Sequence, residues 1–202
     1  MPEFIDGLHL ILLNCFVAAK RHTSTVPAEV AGGSNATQYL INKGHRRIGF
    51  INGESWMDAA TERMRGFRQA LATHDIPFNK DLVREGDWLP LTGHQLAKEL
   101  LHMKNPPTAI LCANDLMALG AIEAAAELGI EVPGGVSIMG YDDQELARYT
   151  QPPLSTLVLP SYQMGHHAAE LLIDVFTSGR QIRTGVVKVD GPVVERGSVK
   201  AL

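Results

Sequence analysis

A chain of 202 residues, 45% hydrophobic and 20% charged, is long enough for one large α/β domain, or for one complete subdomain with part of another. A formal charge of −4 argues against a self-sufficient nucleic-acid-binding domain, which usually carries a basic stripe. Two lone cysteines, Cys15 and Cys112, both in segments that read as buried strand or strand end, suit packing in a reducing cytoplasm rather than a disulfide.

In chain order, the start Met1-Pro2-Glu3-Phe4 reads as a cloning remnant. The apolar run at 8–13 lacks a basic leader and a cleavage site and is too short to span a membrane; it reads as a strand. A polar loop through His22 and Pro27 precedes a helix over about 33–42, stopped by Gly44. Residues 48–51 form a buried strand, and 59–74 a helix with apolar positions at Met64, Phe67, Ala70 and Leu71. A further helix over 91–103 takes Thr92 as its cap. Lys43, Arg46 and Arg47 make a small basic spot, read as a solvated strand entrance rather than a phosphate contact.

The most informative stretch runs from Pro106 to Thr156. Residues 109–113 and 136–140 are short apolar runs that end in polar residues, the pattern of strands buried on both faces. Between them, 116–128 repeats apolar residues at helical spacing and stops at Gly129. Strand, helix, strand makes a right-handed parallel unit that delivers Asn114 and Asp142 to one carboxyl edge of a sheet, where open α/β sheets bind ligands. An amide and a carboxylate there suit hydroxyl-rich or purine-like ligands. Beyond Pro152-Pro153, residues 155–159 carry the chain back towards another subdomain. A helix over 162–178 then ends at Gly179, and weak strands follow at 184–189 and 192–195. The alternation over 45–157 predicts a parallel sheet covered by helices.

The blocks ANDLMALGA (113–121), VSIMGYDD (136–143) and PPLSTL (152–157), in this order, resemble the effector-binding region of the lactose/galactose-repressor (LacI/GalR) family of bacterial transcription regulators. GHRRIGFING (44–53), ERMRGFRQAL (62–71) and REGDW (84–88) match the same family, so the resemblance runs over about 28–198. It implies a type I periplasmic-binding-protein-like α/β fold, with parallel sheets flanked by helices and two subdomains closing on a small molecule. The expected division is a partial N-terminal subdomain over 5–44, a complete C-terminal one over 45–158, a return over 159–190 and a tail strand over 191–202. It also implies a helix-turn-helix head, which this chain lacks, so a truncated regulator is expected.

The resemblance assigns four ligand contacts. Arg63 matches the family's ligand-reaching arginine, the alternative being a surface pair with Glu62 or Asp58. Trp88 matches an aromatic that packs on a sugar or base face, the alternative being core packing. Asn114 and Asp142 match polar contacts from strand ends. Their alternatives are helix capping by Asn114 or, more so, Asp115, and a turn role for Asp142-Asp143. Leu159 stands where several sugar-binding relatives carry glutamine, and Ala28-Glu29-Val30-Ala31 lacks the usual aspartate–asparagine pair. Phe16 and Ser161 are further cleft candidates. The helix over 116–128 matches the family's dimer-forming element, and its Met117-Ala118-Leu119-Gly120-Ala121 run suits close helix contact, between subunits or against its own sheet.

Catalysis is not expected: there is no nucleophile elbow, phosphate loop or dinucleotide fingerprint. Adjacent His166 and His167 face opposite ways on a helix, so a metal site with His94 or His102 is not expected, nor is a cofactor. The expected protein is a cytoplasmic homodimer responding to a sugar-like effector, touching operator DNA only through a head and no membrane; the alternative is a periplasmic transport binding protein. A partial subdomain would leave sheet edges and apolar faces open, so the chain is expected to associate.

Overall fold

Strand and helix alternate in the order β1 (Ile11–Leu13), β2 (Thr23–Pro27), α1 (Glu29–Asn42), β3 (Ile48–Asn52), α2 (Asp58–Thr73), β4 (Val83–Glu85), α3 (Pro90–Leu101), β5 (Ala109–Cys112), α4 (Asp115–Glu127), β6 (Ser137–Asp142), β7 (Ser155–Val158), α5 (Ser161–Ser178), β8 (Gly185–Val189) and β9 (Val193–Val194). This computed structural model describes residues 8–17, 22–179 and 184–202; the Met1-Pro2-Glu3-Phe4 start and parts of the 5–44 and 159–190 segments lie outside them.

The chain forms two compact units. The larger, Glu29–Leu159 with Pro192–Leu202, holds a six-stranded sheet of order β4-β3-β5-β6-β7-β9. All neighbours are parallel except β7 and β9. The apolar runs behave as expected: β3 and β5 are buried along their whole length, and Phe50, Ile110, Leu111, Ile138 and Met139 are among the most buried large side chains. Right-handed crossovers put helices on both faces. Helix α1 packs on α2 over one face, and α3 packs on α4 over the other.

Helix α1 and the tail separate from the expected subdomain boundaries. The 5–44 segment is divided at Ala28, because α1 packs on α2 inside the larger unit. Residues 192–202 join that unit too: β9 pairs with β7, and Ser198 accepts from the Ser155 amide (2.8 Å) while donating to the Ile138 carbonyl (2.6 Å). Residues 155–158 are an inner strand of the large sheet, and the chain passes to the smaller unit at Pro160.

The smaller unit, Met1–Ala28 with Pro160–Gly191, holds a parallel three-stranded sheet of order β1-β2-β8, with α5 packed on β1 and β2. Its middle strand β2 is the element read as a polar loop. Thr23-Ser24-Thr25 gives no apolar signal, yet the strand is buried throughout. Strand β4 is a three-residue edge strand, too short to give an apolar pattern of its own. Helix α3 starts at Pro90 rather than after a Thr92 cap, since proline at the first position loses no needed N–H. Cys15 is exposed, against expectation, while Cys112 is buried and burial pushes its thiol pKa up. Gly44, Gly129 and Gly179 all take left-handed conformations at the expected helix stops.

The small-residue run of α4 is used within the chain. A Cβ on Gly120 would lie 1.9 Å from the Pro90 carbonyl oxygen, and one on Gly93 would lie 2.3 Å from that of Met117. These contacts join α4 to α3 within the chain.

Candidate functional site

Parallel strands deliver their carboxyl ends to one edge, and in the larger unit four of them converge there. Asn114 follows β5, Asp142 ends β6, Trp88 follows β4 and Gly53 follows β3. Arg63, from the second turn of α2, reaches into the same place. The four residues expected to bind ligand are therefore neighbours.

Arg63 sits at the centre, its side chain only 6% exposed. Its Nε donates to Glu29 Oε2 (2.7 Å) and its Nη2 to Glu29 Oε1 (2.9 Å), a bidentate pair. Its Nη1 donates to the Ala113 carbonyl, and Nη2 lies 3.7 Å from Asp142 Oδ1. The guanidinium stacks 3.7 Å from the Tyr141 ring centre and 5.6 Å from that of Trp88. Of the alternative partners, Glu62 pairs with Arg65. Glycine makes this arrangement possible: a Cβ on Gly33 would fall 2.3 Å from the Arg63 carbonyl oxygen, so α1 can approach α2 closely enough to bring Glu29 to the guanidinium.

Trp88 is half-buried with φ +69°, and its indole N–H donates to Met57 Sδ (3.0 Å). A Cβ at Gly53 would come within 1.8 Å of the indole, so only glycine lets this ring lie flat on the β3 end. Asn114 ties two elements together. Its Oδ1 accepts from the Met117 amide (2.9 Å), and its Nδ2 donates to the Trp88 carbonyl (2.9 Å). Asn114 is thus the cap of α4, correcting the expectation that Asp115 would be.

Asp115 is instead buried beneath the site. It accepts from Thr156 Oγ1 (2.6 Å) and from the Gln144 amide (2.7 Å), and burial pushes its pKa up to about 7. Asp142 keeps 17% of its side chain exposed. Burial pushes its pKa up to about 6, with Arg63 pulling the other way. Asp142 and Asp143 both have positive φ, the strained turn at this edge. Asp143 turns away to pair with Arg196 (2.6 Å).

Glu29 and Tyr141 join the four expected residues in the site. The Tyr141 hydroxyl donates to Glu29 Oε2 (2.8 Å), and burial, reinforced by Glu29, pushes its pKa up. Of the other candidates, Leu159 donates its amide to the Asp142 carbonyl (3.0 Å), while Phe16 and Ser161 lie in the smaller unit. Among the described residues no group of three His, Cys, Asp or Glu side chains could hold a metal ion. His94 instead pairs with Glu127 and His166 with Glu170. A groove of about 660 Å³ is lined by Asn52, Gly53, Arg65, Arg68 and Arg84 among others; it adjoins the site at Gly53 and includes none of the four expected residues. No helix among the described residues is long and apolar enough to cross a membrane.

Comparison with known proteins gives this arrangement a lineage. The periplasmic binding protein-like domain matches residues 37–199. The transcriptional repressor PurR of Pectobacterium atrosepticum is 40% identical over 168 residues, covering 83% of this chain and 49% of that protein. The chain thus spans about half the length of the curated relatives it matches. Among solved structures, a sugar-binding LacI-family regulator from Escherichia coli, complexed with phosphate, superposes with a TM-score of 0.85 at 31% identity, covering 98% of this chain and 72% of that one. The CelR–cellobiose complex superposes at 0.83 with 31% identity, covering 93% and 58%. These relatives are transcription regulators rather than transport components, and the chain belongs to the periplasmic-binding-protein-like domains of the LacI family of transcriptional regulators.

Proposed function

We propose that this chain is the effector-sensing part of a cytoplasmic, non-enzymatic LacI-family regulator, and that its ligand is a small sugar-like molecule held at Arg63, Trp88, Asn114 and Asp142. One observation carries the reading: residues from α2 and from the ends of β4, β5 and β6 converge on Arg63, with an aromatic face and a partly exposed carboxylate side by side. Trp88 offers the flat surface on which a pyranose packs, and Asp142 accepts from ligand hydroxyls. The relatives named for sugar and cellobiose favour a carbohydrate class. In the full-length regulator the ligand shifts a homodimer, joined through the larger unit, between DNA-binding and released states.

A thermal-shift screen of neutral sugars, sugar acids and nucleosides tests the site. One class should raise the melting temperature of the wild-type chain, and Asp142→Ala should abolish that rise relative to its own unliganded melting temperature. A ligand-induced rise that survives in Asp142→Ala would place the binding site elsewhere. In the full-length protein, Asp142→Ala should lose effector response and keep operator binding.

A further inference from the structure

We propose that Glu29 is a specificity-determining residue: by occupying the Arg63 fork it makes the site reject anionic ligands and accept neutral, hydrogen-bond-donating ones. The inference rests on reading the Arg63, Trp88, Asn114 and Asp142 cluster as the ligand site.

An arginine at a ligand edge normally recruits carboxylates or phosphates, because its planar fork matches two oxygens at once. Here that fork is filled from within the chain. Glu29 takes Nε and Nη2 at 2.7 and 2.9 Å, and the Ala113 carbonyl takes Nη1. Glu29 is itself fixed from a third side by the Tyr141 hydroxyl at 2.8 Å, and the same Tyr141 ring stacks on the guanidinium. The Glu29 side chain is 12% exposed, so the pair is shielded from the solvent that would otherwise screen it.

The remaining groups point the same way. Asn114 already uses its oxygen on the Met117 amide and one N–H on the Trp88 carbonyl. Asp142 is the more exposed carboxylate, and it stands beside an arginine that another carboxylate has already matched. Two carboxylates to one guanidinium leave an acceptor-rich site. A ligand phosphate or carboxylate would face Asp142 and would have to displace a bidentate Glu29. A neutral polyol or heterocycle, bringing O–H or N–H donors to Asp142, meets neither obstacle.

The test uses inorganic phosphate as the anion probe, at constant ionic strength, with calorimetric titration of the chain as it stands. Wild type should bind phosphate weakly or not at all. Glu29→Gln frees the fork while keeping an acceptor for Tyr141, and should bind phosphate about tenfold tighter or more. The gain should vanish in Glu29→Gln/Arg63→Gln. Asp142→Asn, which removes the facing charge but keeps the Glu29–Arg63 pair, should gain well under tenfold over wild type, and it reports even if Glu29→Gln does not fold. Tight phosphate binding by wild type that needs Arg63, a tenfold or greater gain in Asp142→Asn, or a Glu29→Gln gain that survives loss of Arg63 would each overturn the proposal. Because phosphate is read without any organic ligand, failure here is separate from failure of the sugar screen, which would sink the ligand-site reading itself.

Discussion

Asp115 is fully buried, and its two hydrogen bonds, from Thr156 Oγ1 and the Gln144 amide, recover only part of the desolvation of a charged carboxylate. Its folded pKa of about 7 lies above the ordinary value of about 4, so the folded chain holds this proton more tightly than the unfolded chain does. Its contribution to stability is therefore complete below about pH 4 and is lost as pH rises to about 7, on the order of 4 kcal/mol across that window. Asp142, raised to about 6, adds to the lower part of the same slope. Asp115→Asn should flatten the decline, as urea midpoints at pH 5 and pH 8 would show; an unchanged slope would mean that Asp115 ionises normally. The buried Arg63–Glu29 pair behaves differently, because neither partner tolerates isolation. Arg63→Ala should destabilise the chain by about 3–5 kcal/mol. The paired replacement Glu29→Gln/Arg63→Met should cost markedly less than either partner removed alone, a double-mutant cycle read by urea unfolding.

At the level of elements, glycines separate two roles that look alike in sequence. Gly120 in α4 faces the Pro90 carbonyl and the His94 amide, backbone groups that cannot swing aside, whereas a Cβ at Gly165 in α5 would meet nothing within 4 Å. Gly120→Ala should therefore destabilise the chain by about 1–3 kcal/mol. Gly165→Ala should stabilise it by about 0.5–1 kcal/mol through helix propensity alone, and thermal melts of the two variants should move in opposite directions. The same contrast marks how far the elements are legible in sequence. β3, β5 and β6 are readable because strands buried on both faces are unbroken apolar runs, and the helix stops are readable from glycine. β2 is not, since its burial comes from a central position in a sheet rather than from Thr23, Ser24 or Thr25 themselves. In the site, Arg63, Trp88, Asn114 and Asp142 stand in recognisable blocks at element ends, so topology alone gathers them. Glu29 does not, because its partner is 34 positions away and only the close approach of α1 and α2 joins them. Sequence favours Asp115 over Asn114 as the cap of α4 only weakly, because Asn and Asp are both good caps; the Asn114 bond to the Met117 amide and the burial of Asp115 against Thr156 decide it.

Across the whole molecule, apolar material is unequally covered. The larger unit wraps its sheet on both faces with helices, and its core side chains are almost wholly buried. Among the described residues of the smaller unit, a three-stranded sheet carries one helix, and β1 and β8 are its edge strands. Tyr162, Ile173 and Phe176 of α5 are exposed, as are Leu8, Leu13 and Phe16 around β1. Open parallel edges beside exposed apolar side chains favour pairing with further copies of the chain. Light scattering over a range of micromolar concentrations should therefore show association beyond a dimer. Ile173→Lys/Phe176→Ser should reduce the sample to the dimer proposed for the larger unit, because the substitutions alter α5 and its ring contact with His9 but leave the α1–α4 layers intact. Two other outcomes carry opposite meanings. Higher assemblies unchanged by those substitutions would assign the association to a surface other than α5. A clean monomer at every concentration would remove both the associating face of the smaller unit and the dimer on which the proposed effector response depends.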